Sequence, residues 1–425
     1  MRILLVTCNR SIVGGIERYL QVLIPALLER GHDIAILCER LAAPDEPTID
    51  PPGAGLPVWL CEHAQGAAAL YNEIAAWAPD VMYAHGLESL ALEDVWLDRY
   101  PTVWYAHVYM GTCTTGRKCH MFPQEQPCDR RFGPMCLAMH YPRRCGGLNP
   151  WRAWQAFRVQ SRREARLPDY RSILVASRYM YREYERHGVS PDTLHCVPLP
   201  VTDSAFQDRA FSPKMPEGKL LFLGRLTDMK GVHKLIEAVP LASQKLGRAL
   251  ALTIAGDGPE RAGLEILAER LGVAARFAGW VDGERKIELM REAGLLAVPS
   301  VWPEPFGLVG IEAGCLSLPA VGYEVGGIPD WLISGVTGES APSDPPSAAG
   351  LADAIVRALA NPEHYSALRK GAWERSRQFT MERHMGQVEP LLEAAGKKAP
   401  QPAPRNVWIS NDTKKDDSPW VTLPH

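Results

Sequence analysis

Two acidic residues in the C-terminal half have a spacing that suits the two sides of one anionic ligand. Glu304 and Glu312 fall in the segment EPFGLVGIE, which follows an apolar strand candidate and opens a helix predicted to start near Gly307. The first amides of a helix are unpaired and carry the positive end of its dipole, so they can seat a diphosphate. Glu304 would face one side of that anion, and Glu312, further along the helix, would suit a ribose diol on the other. Taken alone, such a pair is more often a capping acid and a solvated helix residue.

Two cations supply the charge that such an anion needs. Arg225 and Lys230 lie in the segment GRLTDMKG, directly after the predicted strand Lys219–Leu223. Arginine binds phosphate oxygens bidentately and lysine adds a compact charge, so together they could neutralise a leaving diphosphate without a metal. The metal-chelating pattern Asp-x-Asp does not occur in the chain. Either cation alone would be interpreted as an ordinary surface charge.

The N-terminal half offers a second anion seat and two histidines. Gly14 and Gly15 follow the first predicted strand and open a helix, so the backbone there could approach an anion closely, although a simple tight turn fits equally well. The pattern is not Gly-x-Gly-x-x-Gly, which disfavours a nicotinamide cofactor. His107 and, as a lower-ranked candidate, His85 each follow an apolar strand candidate. Such strand ends are expected to line a cleft.

The elements that must position these residues alternate between short apolar strands and helices. The predicted strands are Arg2–Thr7, Asp33–Leu37, Val81–Ala84, Val103–Ala106, Ile173–Ala176, Lys219–Leu223, Leu250–Ala255, Arg276–Ala278, Leu295–Val298 and Pro319–Val321. This alternation predicts parallel sheets with helices on both faces, and 425 residues are enough for two domains. The predicted fold class is α/β, with two tandem doubly wound Rossmann-like domains that face each other across a cleft.

The same patterns predict where the domains begin and end. We expect an N-terminal domain over 1–200 with a cysteine-rich insertion at about 109–148, a linker over 201–218, a C-terminal domain over 219–378, a terminal helix over 379–396 that packs back on the N-terminal domain, and a mobile tail over 397–425. The linker lacks a clear period. The tail is rich in proline and polar residues.

The net charge of −3 hides a strong asymmetry. Residues 99–186 hold 16 Lys and Arg against 6 Asp and Glu, which indicates either an anionic partner or a solvated basic helix. Within this stretch WRAWQAFR, residues 151–158, could rest on an anionic membrane surface, receive a phosphate-bearing acceptor, or pack its aromatic side chains inward. No membrane-spanning run or secretory signal is evident, so we expect a cytoplasmic protein, peripheral to the inner membrane face if this helix binds lipid. Nucleic acid is not an expected partner.

The order of the motifs resembles family 4 of the retaining glycosyltransferases, which have the GT-B fold. GRLxxxKG at 224–231, AGDGP at 255–259 and EPFG with its second glutamate occur in that order, and the resemblance is strongest over 220–338. It implies a retaining, metal-independent transfer of a sugar from a nucleoside diphosphate sugar to a glycan, lipid-linked or small-molecule acceptor, with no catalytic cofactor. A sugar-nucleotide epimerase or phosphorylase on the same plan, or a non-catalytic sugar-nucleotide-binding regulator, are the alternatives.

The resemblance also implies a role for each site residue. Arg225 and Lys230 would contact the donor diphosphate, Glu304 the transferred sugar and Glu312 the ribose, while His107 would contact the sugar and help stabilise positive charge at its anomeric carbon. The expected catalytic residues are thus His107, Arg225, Lys230 and Glu304, and the expected donor-binding residues further include Gly14, Gly15, Phe306, Gly307, Leu308, Glu312, Gly326 and Gly327. Asp330 stands where the family more often has glutamate.

Five of the ten cysteines crowd into one short stretch of the N-terminal half: Cys113, Cys119, Cys128, Cys136 and Cys145. A cytoplasmic setting disfavours disulfides, so a structural zinc site, with His120 or His140 sharing the ligation, is the sharper hypothesis. The spacing lacks the close Cys-x-x-Cys pairs typical of zinc knuckles, and disulfides or unpaired thiols stay open. Because the stretch follows His107, we expect it to fold over the acceptor side of the cleft.

Overall fold

The computed structural model describes residues 1–43, 46–61, 67–202 and 218–397. Most of the predicted linker and all but the first residue of the predicted tail lie outside the described residues. Neither expectation is therefore tested.

A seven-stranded parallel sheet forms the first half of the chain. The first five strands of this sheet are β1 (Arg2–Asn9), β2 (Asp33–Arg40), β3 (Val58–Leu60), β4 (Val81–Ala84) and β5 (Thr102–Ala106). A separate antiparallel hairpin follows in the chain, formed by β6 (Cys119–His120) and β7 (Gln126–Pro127). The last two strands of the sheet are β8 (Ser172–Val175) and β9 (Leu194–Cys196). Their order in the sheet is β3-β2-β1-β4-β5-β8-β9. The helices of this half are α1 (Gly15–Glu29), α2 (Ala67–Trp77), α3 (Leu90–Arg99), α4 (Met135–His140), α5 (Pro150–Arg166) and α6 (Arg178–Arg186).

The central strand β1 shows why this sequence forms a sheet covered on both faces. Ile3, Leu4, Leu5 and Val6 are all fully buried, so both faces of the strand pack against helices. A continuous apolar run is the usual pattern for a buried parallel strand, whereas a half-exposed strand alternates. The side chains Ile3 and Leu5 join the core that α1 covers, and Leu4 and Val6 join the core on the opposite face.

A six-stranded parallel sheet forms the second half. Its strands are β10 (Lys219–Leu223), β11 (Ala251–Ala255), β12 (Ala275–Gly279), β13 (Leu295–Val298), β14 (Ala320–Tyr323) and β15 (Gly338–Ala341), in the order β12-β11-β10-β13-β14-β15. The helices are α7 (Val232–Leu246), α8 (Arg261–Arg270), α9 (Gly283–Glu292), α10 (Leu308–Cys315), α11 (Ala348–Leu359) and α12 (Pro362–Ser376). The two doubly wound sheets confirm the predicted fold class.

The last described helix, α13 (Met381–Lys397), lies against the first sheet rather than the second. Its residues Met385, Val388 and Leu392 are fully buried. His384 Nδ1 lies 2.8 Å from the carbonyl oxygen of Pro198, and Glu389 Oε1 lies 2.8 Å from His32 Nε2. The helix thereby ties the end of the second half to the first.

The cysteine-rich insertion lies between β5 and α5 and contains the β6–β7 hairpin and α4. A buried ion pair holds it in place, because Lys118 Nζ lies 2.5 Å from Glu183 Oε1 on α6 and both side chains are only 1% exposed. The insertion also reaches the second half, where Glu125 Oε2 lies 3.2 Å from His233 Nε2 on α7. It therefore contacts both halves of the chain.

Candidate active site

The expected site residues follow strands whose carboxyl ends meet at facing edges of the two sheets. His107 follows β5 in the first sheet, Arg225 and Lys230 follow β10 in the second, and Glu304 follows β13. In parallel α/β sheets this edge is where ligands bind, because the loops after successive strands converge there. The strand order, with β5 and β13 near the middle, sets His107 and Glu304 in the middle of the cleft.

Lys230 and Glu304 are in direct contact. Lys230 ends a short turn, Asp228–Lys230, and its Nζ donates to Glu304 Oε1 at 2.5 Å. Ser300 Oγ donates to the same carboxylate oxygen at 2.6 Å. The Glu304 side chain is only 7% exposed, so this carboxylate is held in a fixed position by two donors.

Two glycines support the loop that carries Glu304. Gly326 has φ +55, in the left-handed region that favours glycine, and a Cβ built on it would lie 2.3 Å from the Glu304 carbonyl oxygen. Gly327 donates its amide to that same oxygen at 2.7 Å, and a Cβ there would lie 2.5 Å from the Pro305 carbonyl oxygen. Both glycines therefore permit the close backbone packing that fixes Glu304.

Asp330, the position that departs from the family pattern, has a partner across the cleft. Its two carboxylate oxygens accept from the backbone N–H and the Nε of Arg178 at 2.7 and 2.8 Å. Arg178 opens α6 in the first half of the chain, so the pair joins the two halves. The exposed guanidinium weakens the pair as a source of stability. Its geometry nevertheless fixes Asp330 in the cleft wall.

Helix α10 begins immediately after the Glu304 loop. Gly307 caps it in the left-handed conformation with φ +86, and Leu308 is its first residue. The Phe306 side chain is 1% exposed and packs against the Phe379 ring with centroids 5.5 Å apart, so its backbone is the part that can meet a ligand. Leu308 and Val309, the first two residues of α10, line a cavity between the two halves, and amides in the first turn of a helix have no partner within the helix.

Glu312, on the second turn of α10, lines a cavity of about 520 Å³. Lys286 Nζ of α9 lies 2.8 Å from Glu312 Oε1. Sequence reasoning missed Lys286, because it is an ordinary helix residue with no motif around it. The cavity lies between loops of both halves, and its lining includes Gly14, Gly15, Arg18, Gly224, Gly256, Trp280, Lys286, Leu308, Val309 and Glu312.

Arg225 lies on an exposed turn whose position depends on the AGDGP segment. A Cβ on Gly256 would lie 1.8 Å from the Gly224 carbonyl oxygen, and a Cβ on Gly258 would lie 2.3 Å from that of Leu226. Leu226 also donates its amide to the Asp257 carbonyl oxygen at 2.8 Å. These contacts explain why the two motifs occur together, since one turn packs directly on the other.

Gly14 and Gly15 begin α1 and line the same cavity from the opposite side. Glu17 holds their turn, because its carboxylate accepts from the Gly14 amide at 2.8 Å and from Asn9 Nδ2 at 3.1 Å. A Cβ built on Gly15 would meet nothing within 4 Å. The space next to Gly15 is therefore open, which leaves room for a ligand.

His107 contacts the second histidine candidate, His85, which is buried. His107 Nε2 and His85 Nδ1 lie 3.1 Å apart, so one ring nitrogen donates to the other. Burial lowers the pKa of His107 to about 3, with a smaller contribution from His384. Burial, and then the neighbouring His107, also lower the pKa of His85 well below its usual value. Both imidazoles are thus neutral near pH 7.

A buried hydrogen-bond chain connects this region to α13. His384 Nδ1 donates to the Pro198 carbonyl, so its Nε2 is the acceptor for the Tyr19 hydroxyl at 2.8 Å. The Tyr19 oxygen in turn lies 3.1 Å from the Tyr83 hydroxyl. The Tyr19 ring packs edge-on against His107, with centroids 5.5 Å apart. Tyr19 and His384 therefore form part of the surroundings of His107. No sequence motif marked either residue.

A second cavity, of about 560 Å³, lies on the other side of Glu304. Its walls come from the loops after β8, β14 and β15 and from the insertion, whereas the first cavity lies at the ends of β1, β10, β11 and β12. The lining is largely polar and includes Gln126, Asp129, Arg178, Tyr179, Arg182, Glu324, Asp330, Ser343 and Asp344. Sheet order thus places Glu304 and His107 between two separate cavities.

The cysteines do not form the expected zinc site. Across the described ranges, no group of three or more His, Cys, Asp or Glu side chains is arranged to hold a metal ion. Cys119 is buried with its Sγ 3.7 Å from the Val301 carbonyl oxygen, and His140 Nε2 is engaged by the Gly147 carbonyl oxygen at 3.0 Å. The structure therefore does not support the zinc prediction, and these two side chains are engaged in packing and hydrogen bonding instead.

Burial favours the protonated form of three of the remaining thiols. Cys113, Cys128, Cys136 and Cys145 are all free thiols. Burial raises the pKa of Cys128 and of Cys136, and raises that of Cys145 to about 12. The thiolate is the form that binds metal, so these environments disfavour it.

Two family models together match residues 13–375 of the chain. The N-terminal part, residues 13–204, matches "Glycosyltransferase Family 4", and residues 203–375 match "Glycosyl transferases group 1". The glycogen synthase of Mycobacterium tuberculosis is 28% identical over 376 residues, which cover 85% of this chain and 87% of the relative. The D-inositol 3-phosphate glycosyltransferase of Saccharomonospora viridis is 33% identical over 175 residues, covering 39% of this chain and 40% of the relative.

Solved structures share the whole architecture. HepE of Anabaena in complex with UDP-glucose aligns with a TM-score of 0.66 at 18% identity, covering 93% of this chain and all of that one. Sucrose-phosphate synthase from Thermosynechococcus elongatus aligns with a TM-score of 0.66 at 21% identity and the same coverage. At these identities the likeness shows the fold alone.

Proposed function

Because the chain is a glycosyltransferase with the GT-B fold, we propose that it transfers a sugar from a nucleoside diphosphate sugar to an acceptor hydroxyl, with retention of anomeric configuration and without a catalytic metal. The donor would occupy the cavity lined by Gly15 and Glu312. The acceptor would occupy the cavity lined by Arg182 and Ser343. The reacting atoms then meet beside Glu304 and His107.

The contact between Lys230 and Glu304 carries this proposal. It sets a cation and a carboxylate side by side next to the free amides of α10, and between the two cavities. A diphosphate at the start of α10 would take its charge compensation from those amides, from Lys230 and from Arg225. Glu312, on the second turn of α10, lines the first cavity, where its carboxylate would bind the ribose diol of the donor.

The chemistry follows from where the charges lie. As the bond to the anomeric carbon breaks, negative charge grows on the leaving diphosphate, where Lys230 and Arg225 stabilise it. Positive charge grows on the sugar, where the Glu304 carboxylate and the neutral His107 can offset it. In the proposed retaining path, the leaving phosphate oxygen takes the proton of the acceptor hydroxyl on the same face, so no separate protein base is assigned.

A glycan, a small molecule or a lipid-linked sugar fits the proposed acceptor role. The second cavity offers carboxylates, arginines and a serine, which hydrogen-bond to hydroxyl groups. A lipid-linked acceptor would bring the protein to the inner face of the membrane from the cytoplasm. None of the described helices is long and apolar enough to cross a membrane.

Thermal stabilisation by UDP-, GDP- and ADP-sugars, together with slow donor hydrolysis, tests the proposed function. One of the three donor classes should stabilise the protein, by about 2.7 kcal/mol at a concentration about 100 times its Kd. Glu304→Gln should abolish hydrolysis. The matched control is Glu374→Gln on α12, whose carboxylate is exposed beside Lys370. The proposal is overturned if no nucleotide sugar stabilises the wild-type protein.

Product analysis separates the other functions of the same fold. An epimerase would return an intact nucleotide sugar with altered configuration. A non-catalytic regulator would bind donor tightly and neither hydrolyse nor transfer it. Transfer to an acceptor, with nucleoside diphosphate released, is the result expected here.

A further inference from the structure

One segment of the first half, residues 122–154, carries several exposed apolar side chains. Fourteen large hydrophobic residues are exposed among those the structure describes, and six of them fall within residues 122–154. They are Phe122, Met135, Tyr141, Leu148, Trp151 and Trp154, with exposures from 40% to 82%. We call these six residues, with the exposed arginines Arg130, Arg131, Arg144, Arg152 and Arg158, the aromatic–arginine surface.

Helix α5 shows that this exposure is built into the fold. Ala153, Ala156, Gln160 and Arg163 form its buried side, and Arg163 Nε is fixed by Glu93 Oε2 at 2.9 Å. The opposite side presents Trp151, Arg152, Trp154 and Arg158 at positions i, i+1, i+3 and i+7, which share one helix face. The tryptophans cannot turn inward without breaking the buried contacts of the other side.

Packing of α5 and of the insertion keeps the aromatic–arginine surface ordered. The Trp154 ring stacks on Phe157 with centroids 6.1 Å apart, and Phe157 packs on Phe132 at 5.1 Å. The Arg144 guanidinium lies 5.1 Å from the centre of the Phe122 ring. Leu148, 82% exposed, projects from the loop that leads into α5. The surface is therefore a preformed set of projecting side chains.

The charged residues of this segment are mostly basic. Residues 122–158 contain six arginines and two acids, Glu125 and Asp129. Glu125 is already engaged, with His233 Nε2 at 3.2 Å and Lys234 Nζ at 3.5 Å. The aromatic–arginine surface thus has a net positive charge, and an occupant with negative charge and an apolar interior complements it.

We propose that the aromatic–arginine surface docks on an anionic lipid bilayer. Tryptophan and tyrosine favour the boundary between headgroups and acyl chains, arginines bind anionic headgroups, and a projecting leucine can enter the acyl region. A nucleic acid would account for the arginines but not for Leu148 or Met135. The inference extends the proposed function, because Gln126, Pro127 and Asp129 of the same insertion line the second cavity. Docking would bring that cavity close to a membrane-borne acceptor.

Co-sedimentation of the full chain with vesicles tests the docking. We expect binding to phosphatidylcholine vesicles that contain phosphatidylglycerol, little binding to phosphatidylcholine alone, and loss of binding at high salt. The double variant Trp151→Ser with Trp154→Ser should weaken vesicle binding at least tenfold, and Arg144→Gln with Arg158→Gln should remove the preference for the anionic lipid. Ile266→Ser on α8, which changes a side chain that is 66% exposed, is the matched control and should bind like the wild type.

Donor hydrolysis without vesicles separates this inference from the proposed function. The tryptophan and arginine variants should hydrolyse the donor at the wild-type rate, since none of these residues lines either cavity. Failure of wild-type protein to bind anionic vesicles overturns the docking while leaving the transferase proposal intact. Sedimentation that shows a dimer of the wild type, lost in the Trp151 and Trp154 variant, would assign the surface to a second copy and also overturn it.

Discussion

Lys230 Nζ and Glu304 Oε1 lie 2.5 Å apart although 74 residues separate them in the chain. One follows β10 and the other follows β13, which are neighbours in the second sheet, so the parallel topology brings them together. Ser300 donates to the same oxygen. The cation that would meet the donor phosphate is therefore already positioned, with its charge balanced by the carboxylate, before any donor enters.

Replacing Lys230 should remove most of the activity. Lys230→Ala takes away the cation that we propose to stabilise the leaving diphosphate, and loss of one preorganised donor of this kind costs about 10²–10³ in kcat. Rates of donor hydrolysis measured at saturating donor give this comparison. Lys370→Ala, an exposed lysine on α12, should keep the wild-type rate. A Lys230→Ala rate within threefold of the wild type would remove this residue from the mechanism.

Glu312 should affect donor binding more than turnover. Its carboxylate is held 2.8 Å from Lys286 Nζ in the first cavity, and not at the proposed reaction centre beside Glu304. Losing a hydrogen bond to a charged group costs about 1.5–3 kcal/mol, so Glu312→Gln should raise the KM for donor by roughly tenfold to a hundredfold. The kcat should change little. A drop in kcat at unchanged KM would show that Glu312 acts on the transition state instead.

The sequence predicts the strands and motifs of this fold well because their signals are local. Continuous apolar runs such as Ile3–Val6 identify buried strands, and glycines beside Glu304 mark close backbone packing. The short edge strands β3 and β9 gave no such signal. Three-residue strands at a sheet edge bury too little to show a period.

Residues whose partner is distant in sequence were missed. Lys286, Arg178 and His384 sit on ordinary helices, and only the folded chain shows that they meet Glu312, Asp330 and Tyr19. The zinc site predicted from the cysteine stretch lacks support for the opposite reason. Its density in sequence suggested ligands, but density does not say where each sulfur points, and Cys119 points to a carbonyl of the second half.

Acid should destabilise the protein through its buried histidines. Burial lowers the pKa of His384 to about 4, whereas the unfolded chain has the usual value of about 6.5, so the unfolded state binds more protons as pH falls. The stability contribution is complete above pH 6.5 and is lost as the pH drops toward 4. Urea unfolding at pH 7 and pH 5 should show that His384→Gln removes about 2 kcal/mol of the pH dependence. A variant with the full wild-type pH dependence would contradict this.

The pH profile of activity should lack a histidine ionisation near neutrality. His107 has a pKa of about 3, so it stays neutral from about pH 4 upward. Donor hydrolysis in the wild type should show no inflection between pH 5.5 and 7.5, about one unit on either side of the ordinary histidine value. His85→Asn, which can still hydrogen-bond to His107, should retain more activity than His85→Ala. Equal losses in both variants would exclude a positioning role for His85.

The buried pair of Lys118 and Glu183 should hold the insertion on the protein. Lys118→Met leaves the Glu183 carboxylate buried without its cation, a change that typically costs about 3–5 kcal/mol. Limited proteolysis should then cut within residues 109–148 at a lower protease concentration than in the wild type. Lys118→Met combined with Glu183→Leu should regain much of the loss. Unchanged proteolysis of Lys118→Met would show that other contacts are enough to hold the insertion in place.

The most direct test of the central claim is the configuration of the first sugar released from the donor. Wild-type protein is incubated with an α-linked nucleotide sugar that stabilises it, in the presence of excess EDTA, and the products are followed by time-resolved NMR. We expect the donor to be cleaved despite the chelator and the α-anomer to appear first. Initial appearance of the β-anomer, or cleavage that stops in EDTA, would contradict a metal-independent retaining transfer at Lys230 and Glu304.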